Sequence, residues 1–293
     1  MFDLRYHVAS LAAVFIALVI GIVVGVGLSE SGVARQAELQ NAKRDLAAER
    51  AANVQLSSQL KEYGRTQNAF RDAYPFLMDQ RLNKKRIAVL FVGPIDGGVR
   101  DAIERTLADA DASSGIPLRL FSLKLPVDEA ELTRTLQGAG PAFSPYAGEE
   151  RLGALGRALA AEFVKGGETP LWAALAPKLV EQRSGGLTEP ADGVVVVRTV
   201  PPQGGATARL LSGLVSALPV QGVPAVGVEE SDAEESAVPT FRDRDLSTVD
   251  DIDLSTGRFA LALLLADAAS GAYGVKETAD GVLPPVEPLP AEQ

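Results

Sequence analysis

The pattern of apolar and polar positions divides the chain into three regimes. The first is "VASLAAVFIALVIGIVVGVGLS", in which 21 consecutive residues from Val8 to Leu28 carry no charge and Ser10 is the only hydroxyl. A helix rises about 1.5 Å per residue, so this run reaches roughly 31 Å, close to a hydrocarbon core of about 30 Å. The apolar core of a cleaved signal peptide is shorter, about 7–15 residues, and a helix buried in a soluble domain would keep some polar solvent face. The run therefore predicts a retained single-pass transmembrane helix over residues 8–28, preceded by a short stub at 1–7. Within it, every fourth residue is small: Ala9, Ala13, Ala17, Gly21, Gly25 and Ser29. Residues four apart stack on one helix face, and close backbone approach drives helix association in lipid. The stripe predicts a helix–helix packing face, most simply a homodimer.

The second regime runs from residue 33 to residue 74, free of proline and rich in Ala, Glu, Gln, Arg and Leu, all but a few of them good helix formers. A heptad set on Leu39 reads Leu39, Leu46, Asn53, Leu60, Gln67, Tyr74 at position a. Position d reads Ala42, Glu49, Leu56, Tyr63, Phe70, Leu77. Asn53 at an a position is a device for fixing register and two parallel strands. The seam Leu39, Leu46, Asn53, Leu56, Leu60, Tyr63 and Phe70 predicts a parallel dimeric coiled coil, weakened by Glu49 and Gln67 and stopped by Pro75. The stretch "GLSESGV" (Gly27–Val33) is read as the loose place where lipid-embedded packing gives way to the coil.

The third regime alternates short β-branched runs with helical periodicity. "RIAVLFVG" (Arg86–Gly93), "IPLRLFSLKLP" (Ile116–Pro126), "DGVVVVRTV" (Asp192–Val200) and "PAVGVEE" (Pro224–Glu230) read as strands, the first and third buried on both faces. Helices are expected over Pro94–Ala110, Asp128–Leu136, Glu149–Val164, Pro170–Gln182, Thr207–Leu218 and Ser255–Gly274. The fold class is α/β: a transmembrane helix and a coiled-coil helix, then a three-layer, mainly parallel-sheet domain of Rossmann/flavodoxin-like type over 84–275. A proline-rich tail at 276–293 is expected to be extended or disordered.

Candidate chemistry is sparse. There is no cysteine, and the one histidine, His7, lies at the membrane edge, so neither a Ser-His-Asp triad nor a histidine or thiolate metal site can be built in the distal domain. "VGPIDGG" follows a strand and opens a helix, where phosphates bind in such folds, yet it matches neither G-x-G-x-x-G nor a lysine-bearing phosphate loop, and its glycines are read as shaping the turn. The stretch "VEESDAEESAVPTFRDRDLSTVDDID" (Val228–Asp253) is read as a solvated acidic loop. Aligned from Asp243 as a calcium loop it fails, with Thr248 in the glycine place and Leu254 in that of the bidentate glutamate. "TPLWAAL" places the single tryptophan, Trp172, in the core. No catalytic residue, resident metal or cofactor is expected, and no enzyme. The formal charge of −10 and the lack of a basic cluster, "NKKR" (Asn83–Arg86) being the densest, exclude a nucleic-acid partner.

The opening "MFDLRYHVASLAAVFIALVIGIVVGVGL" and the ending "DDIDLSTGRFALALLLADAASGAYGVK" resemble the copper-transport outer-membrane protein family of mycobacteria and related bacteria (MctB-type). The resemblance covers nearly the whole chain. It implies an envelope protein of copper homeostasis, a channel-forming outer-membrane component, with the α/β domain outside the cytoplasm. Arg35, Lys43 and Arg44 follow the span closely, so the Lys/Arg count does not support that orientation. A pore through an outer membrane is normally a closed barrel of alternating strands, a pattern this chain lacks. Copper(I) prefers thiolate and thioether donors, and the only sulfur atoms are those of Met1 and Met78; copper enters as cargo rather than cofactor. Two functions follow: a membrane-anchored homodimer in copper transport across the envelope, or a non-catalytic scaffold presenting its α/β domain to a protein partner such as a cell-wall or cell-division factor.

Overall fold

A computed structural model describes residues 4–285, with the side chains of 4–9, 27–38, 63 and 67 outside the description. The chain divides into two compact units, Met1–Ala69 and Phe70–Gln293. Part of the expected stub (Met1–Asp3) and the end of the expected tail (Val286–Gln293) lie outside the described residues.

The first unit is helix. α1 spans Leu4–Met78, and the backbone of Gly27–Val33, expected to be loose, is helical throughout. The described side chains of the apolar run are Ser10–Val26, all exposed. Val8, Ala9, Gly27 and Leu28, which complete the expected span, lie outside the described side chains. Among the described residues no helix is long and apolar enough to cross a membrane.

The second unit begins on the last turns of α1. Pro75 was expected to end the helix, and the helix instead continues to Met78. An internal proline forfeits a backbone hydrogen bond and costs about 3 kcal/mol. That cost is offset because Tyr74, Met78 and Leu82, on and just beyond this turn, are buried in the domain core. Phe70 also turns inward: its ring lies 6.0 Å from that of Phe259, centroid to centroid.

The sheet is built from β1 (Ile87–Val92), β2 (Arg119–Leu123), β3 (Val180–Gly185), β4 (Gly193–Arg198), β5 (Ala225–Val228), β6 (Ser247–Val249) and β7 (Ala272–Tyr273). Their order is β3-β2-β1-β4-β5-β6-β7. Every pairing is parallel except β2 with β3. Within the parallel part, β2-β1-β4-β5-β6-β7, the first five strands have the flavodoxin-like order, which reverses direction between β1 and β4. The side chains of β1 and β4 alternate strictly between two cores. Ala88, Leu90, Val92, Val194 and Val196 join one, with residues of α3 (Glu129–Ala139), α4 (Leu152–Lys165), α5 (Pro170–Leu179), α6 (Gly205–Ala217) and α7 (Val238–Arg242). Ile87, Val89, Phe91, Val195 and Val197 join the other, with α2 (Gly97–Asp109) and α8 (Ser255–Leu265). Burial on both faces is why these two strands read as uninterrupted apolar runs.

Four elements depart from the sequence reading. The helix expected over Pro170–Gln182 stops at Leu179, one residue before β-branched Val180 opens β3. The helix expected over Ser255–Gly274 stops at Leu265, and its last residues form β7. The supposed acidic loop contains α7 and β6. The first part of the supposed tail is also tied down. Gly274 N–H donates to the Gly281 carbonyl, Arg242 pairs with Asp280, and Leu283 packs against the core.

Candidate functional site

In a doubly wound sheet, ligands bind outside the carboxyl ends of the strands, where strand order reverses. Here that place lies after β1 and β4, and the chain itself fills it. Gly93 follows β1 with φ +116°. A Cβ on it would lie 2.6 Å from Val200 Cγ1 and 2.7 Å from Thr199 Oγ1, both from the loop after β4. Thr199 Oγ1 donates to the Pro94 carbonyl at 2.7 Å, and buried Ser122 Oγ donates to that of Gly93 at 2.9 Å. Two neighbouring strand ends are therefore laced together, and the glycine shapes the turn, as read from the sequence.

The amino end of α2 is closed to anions as well. Asp96 caps it, its Oδ1 accepting from Val99 N–H at 3.0 Å, and Glu230 Oε1 comes within 3.0 Å of where a Gly98 Cβ would stand. Burial, then the charges of Asp96, Asp232 and Asp253, hold the Glu230 carboxyl above its ordinary range. Two resident carboxylates thus stand where a phosphate would dock, and the local field repels one.

The carboxyl ends of β5 and β6 carry the acidic residues that the sequence placed in solvent. Glu229 is 6% exposed, Asp250 1% and Asp251 0%. Glu229 Oε1 accepts from Lys276 Nζ at 2.6 Å and Ser236 Oγ at 2.7 Å. Asp250 Oδ1 accepts from Val275 N–H at 2.8 Å and Lys276 N–H at 3.3 Å. Asp253 takes Ser231 N–H and Oγ, each at 2.7 Å. Asp251 Oδ2 accepts from Thr256 Oγ1 at 2.7 Å, while its Oδ1 has no partner. The reading as a solvated loop is corrected for Glu229, Asp250 and Asp251, which are buried at the strand ends and bracket the segments they join, while Asp232, Glu234, Glu235, Asp243, Asp245 and Asp253 are exposed as read. A signal was present in the Thr256-Gly257 pair shortly after Asp251, a small donor followed by a residue without Cβ. A Cβ on Gly257 would stand 2.5 Å from Asp251 Oδ1.

Burial above all pushes the Asp251 carboxyl up to about 6, with the charges of Asp250 and Asp253 adding and the Thr256 bond opposing. The sign follows by linkage. The folded value lies above the ordinary one, so ionised Asp251 weakens the fold above about pH 6, and protonation relieves this as pH falls toward 4. A two-unit shift corresponds to about 3 kcal/mol at most. Denaturant unfolding of wild type and Asp251→Asn between pH 4.5 and 7.5 should show the variant gaining relative stability as pH rises through this window. A constant difference would remove the assignment.

Beside the laced strand ends, under the loop after β4, lies a cavity of about 320 Å³ reached by Arg198, Arg244 and Phe241. Among the described residues no three His, Cys, Asp or Glu side chains are placed to hold a metal ion. Met78, the one described thioether, is wholly buried. Among the described residues no exposed sulfur offers the soft donor that copper(I) takes.

The residues expected to pack in lipid stand on one face of α1. Ala13 and Ala17 are exposed, and nothing lies within 4 Å of a Cβ built on Gly21 or Gly25. The side chains of Ala9 and Ser29 lie outside the description, as does that of Tyr63. Of the expected seam, Leu39, Leu46, Leu56 and Leu60 are 46–61% exposed, and Asn53 is exposed with them. Phe70 is drawn into the domain instead. The sequence reading missed Asp250, Asp251 and Glu229 as buried framework and Arg198 and Arg244 as cavity cations.

No curated protein matches the chain significantly. A family model described as "Copper transport outer membrane protein, MctB" matches residues 1–284, nearly the entire chain, and the protein belongs to that family.

Proposed function

We propose that the protein is a single-pass, membrane-anchored homodimer that supports copper transport across the envelope through assembly, without coordinating the metal or catalysing a reaction. The observation that carries this is the exposure of Leu39, Leu46, Leu56 and Leu60 at heptad spacing on α1. Large apolar side chains repeated this way leave about 25 cal/mol per Å² of unburied surface to be gained by a partner helix. The Val8–Leu28 run supplies the anchor, and the open face through Ala13, Ala17, Gly21 and Gly25 supplies close helix contact within lipid. The family description supports a place in the envelope, with the α/β domain outside the cytoplasm; protease added to intact cells would then degrade that domain.

A scaffold function, with the α/β domain contacting another envelope protein, is favoured by one further observation. The edge at which enzymes of this architecture work is closed by Thr199, Val200, Asp96 and Glu230. On either reading, purified protein should retain no stoichiometric copper(I) and should give no conductance in planar bilayers. Bound copper at one equivalent or stepwise conductance would overturn the assembly mechanism. Cross-linking in cells followed by pull-down identifies the partner that the scaffold requires.

The pairing has its own test. Gly21→Leu with Gly25→Leu should weaken self-association in detergent by about tenfold or more, since the bulky chains hold the backbones apart. Sedimentation equilibrium of both proteins measures it, and an unchanged dimer constant would remove the small-residue face from the interface.

A further inference from the structure

We infer that the cavity beside the carboxyl ends of β1 and β4 is a binding site for a small carboxylate with a compact apolar body. The site lies beside the reversal of strand order, against the loop after β4 that fills the reversal itself and between α6 and α7. Its volume of about 320 Å³ falls at the small end of the range for ligand pockets, about 300–1,000 Å³. Val92, Leu211 and Phe241 supply apolar wall.

Arg198 and Arg244 both line this cavity, and backbone carbonyls hold each guanidinium before any ligand arrives. Arg198 Nη2 donates to the Ser236 carbonyl at 2.9 Å and to that of Glu235 at 3.3 Å. Arg244 Nη1 donates to the Thr240 carbonyl at 2.7 Å. Carbonyl partners hold the side chains without neutralising them, and neither arginine makes an ion pair with a described carboxylate. Each guanidinium has five N–H donors, so most remain for an incoming group. Asp243 is the one acid on the lining, and it is exposed, leaving the cavity net cationic in a chain of charge −10. A planar fork beside an apolar wall selects a carboxylate carried on a hydrophobic body, because charge and shape are recognised together.

The test is calorimetric titration of the full chain in lipid nanodiscs, corrected for empty nanodiscs, with three probes. 4-Phenylbutyrate carries both features, its neutral amide carries only the apolar body, and inorganic phosphate only the charge. The acid should bind at least tenfold tighter than either. Arg244→Gln should erase the preference of acid over amide, and Ala208→Phe, which fills the cavity from α6, should abolish binding of both, with circular dichroism and melting temperature checking that each variant folds. Equal affinity for acid and amide, absence of binding at millimolar acid, or acid binding unchanged in the folded variants would each overturn the assignment.

Discussion

Gly213→Ala is expected to lower the melting temperature of the α/β domain by roughly 4–8 °C. α4 and α6 approach so closely that two glycines, Gly156 and Gly213, leave no room for a side chain at the contact. A Cβ on Gly213 would stand 2.1 Å from the Gly153 carbonyl oxygen, and one on Gly156 would stand 2.2 Å from that of Leu210 and 2.6 Å from Leu214 N. These are backbone atoms within hydrogen-bonded helices, so no rotamer change relieves the clash. The helices must separate, and Leu155, Leu159, Leu210 and Leu214, all buried in the same core, must lose contact together. Overpacking of a core costs about 1–3 kcal/mol, and the upper end applies where backbone must move. The gain in helix propensity from Gly to Ala, about 1 kcal/mol, only partly offsets it. In a domain of this size 1 kcal/mol moves the melting temperature by about 2–4 °C, which gives the range above. Gly153→Ala supplies the control on the same helix pair, because its Cβ would meet only Arg157 Nη1 at 3.7 Å and the Arg209 carbonyl at 3.9 Å. That variant should melt at or above wild type. Equal melting of Gly213→Ala and Gly153→Ala would show that the contact tolerates a methyl group and that the packing argument fails.

This contact was not legible in the sequence, although its residues are ordinary. Gly156 sits among Leu152, Leu155 and Leu159 on the apolar face of α4, but a glycine there reads as a weak helix position until its partner helix is known. The central strands were legible for the opposite reason. β1 and β4 are covered on both sides, and their side chains record that burial whatever lies next to them. β3 has the sequence VEQRSG and is exposed from Glu181 onward; its strand character comes from pairing with β2, which no local pattern announces. β6 and β7 contribute three and two residues, too few for a period to show. The acids at the ends of β5 and β6 were placed in solvent because composition alone weighs charge without its partners, and Lys276, Val275 and Thr256 are brought to them by the fold. The heptad reading met a different limit. Its spacing runs on through Phe70, Tyr74 and Leu77, yet the domain takes these side chains, since Phe259 and the core around Met78 offer burial within the same chain.

Gly274→Ala is expected to release the closing segment of the domain while the central sheet stays intact, with a loss of about 3 kcal/mol or more. Gly274 follows β7 with φ +142°, a conformation that costs a residue with Cβ about 1–3 kcal/mol. The same Cβ would lie 2.0 Å from Asp250 Oδ1 and 2.4 Å from its Cγ. Asp250 has no free space to yield. It is buried at the end of β6, its N–H donates to the Tyr273 carbonyl at 3.1 Å, and its carboxylate receives the Val275 and Lys276 amides. Moving that carboxylate breaks these bonds and displaces Lys276 from Glu229, a 2.6 Å ion pair whose acid is 6% exposed. Leaving such buried groups unpaired costs about 1–3 kcal/mol apiece. The substitution therefore strikes the ending "DDID…GAYG" where Asp250 meets Gly274, and it gives that ending a physical role as a clasp between β6 and β7. Hydrogen exchange should accelerate at least about tenfold over Ala272–Leu283 and stay near wild type in β1 and β4, as expected for local opening. Gly281→Ala is the matched control, because its Cβ would meet only the Leu283 carbonyl at 3.9 Å, and exchange there should remain as in wild type. Uniform acceleration across the whole sheet in Gly274→Ala would mean that the clasp carries global stability; unchanged exchange over Ala272–Leu283 would mean that Asp250 and Gly274 do not hold the segment at all.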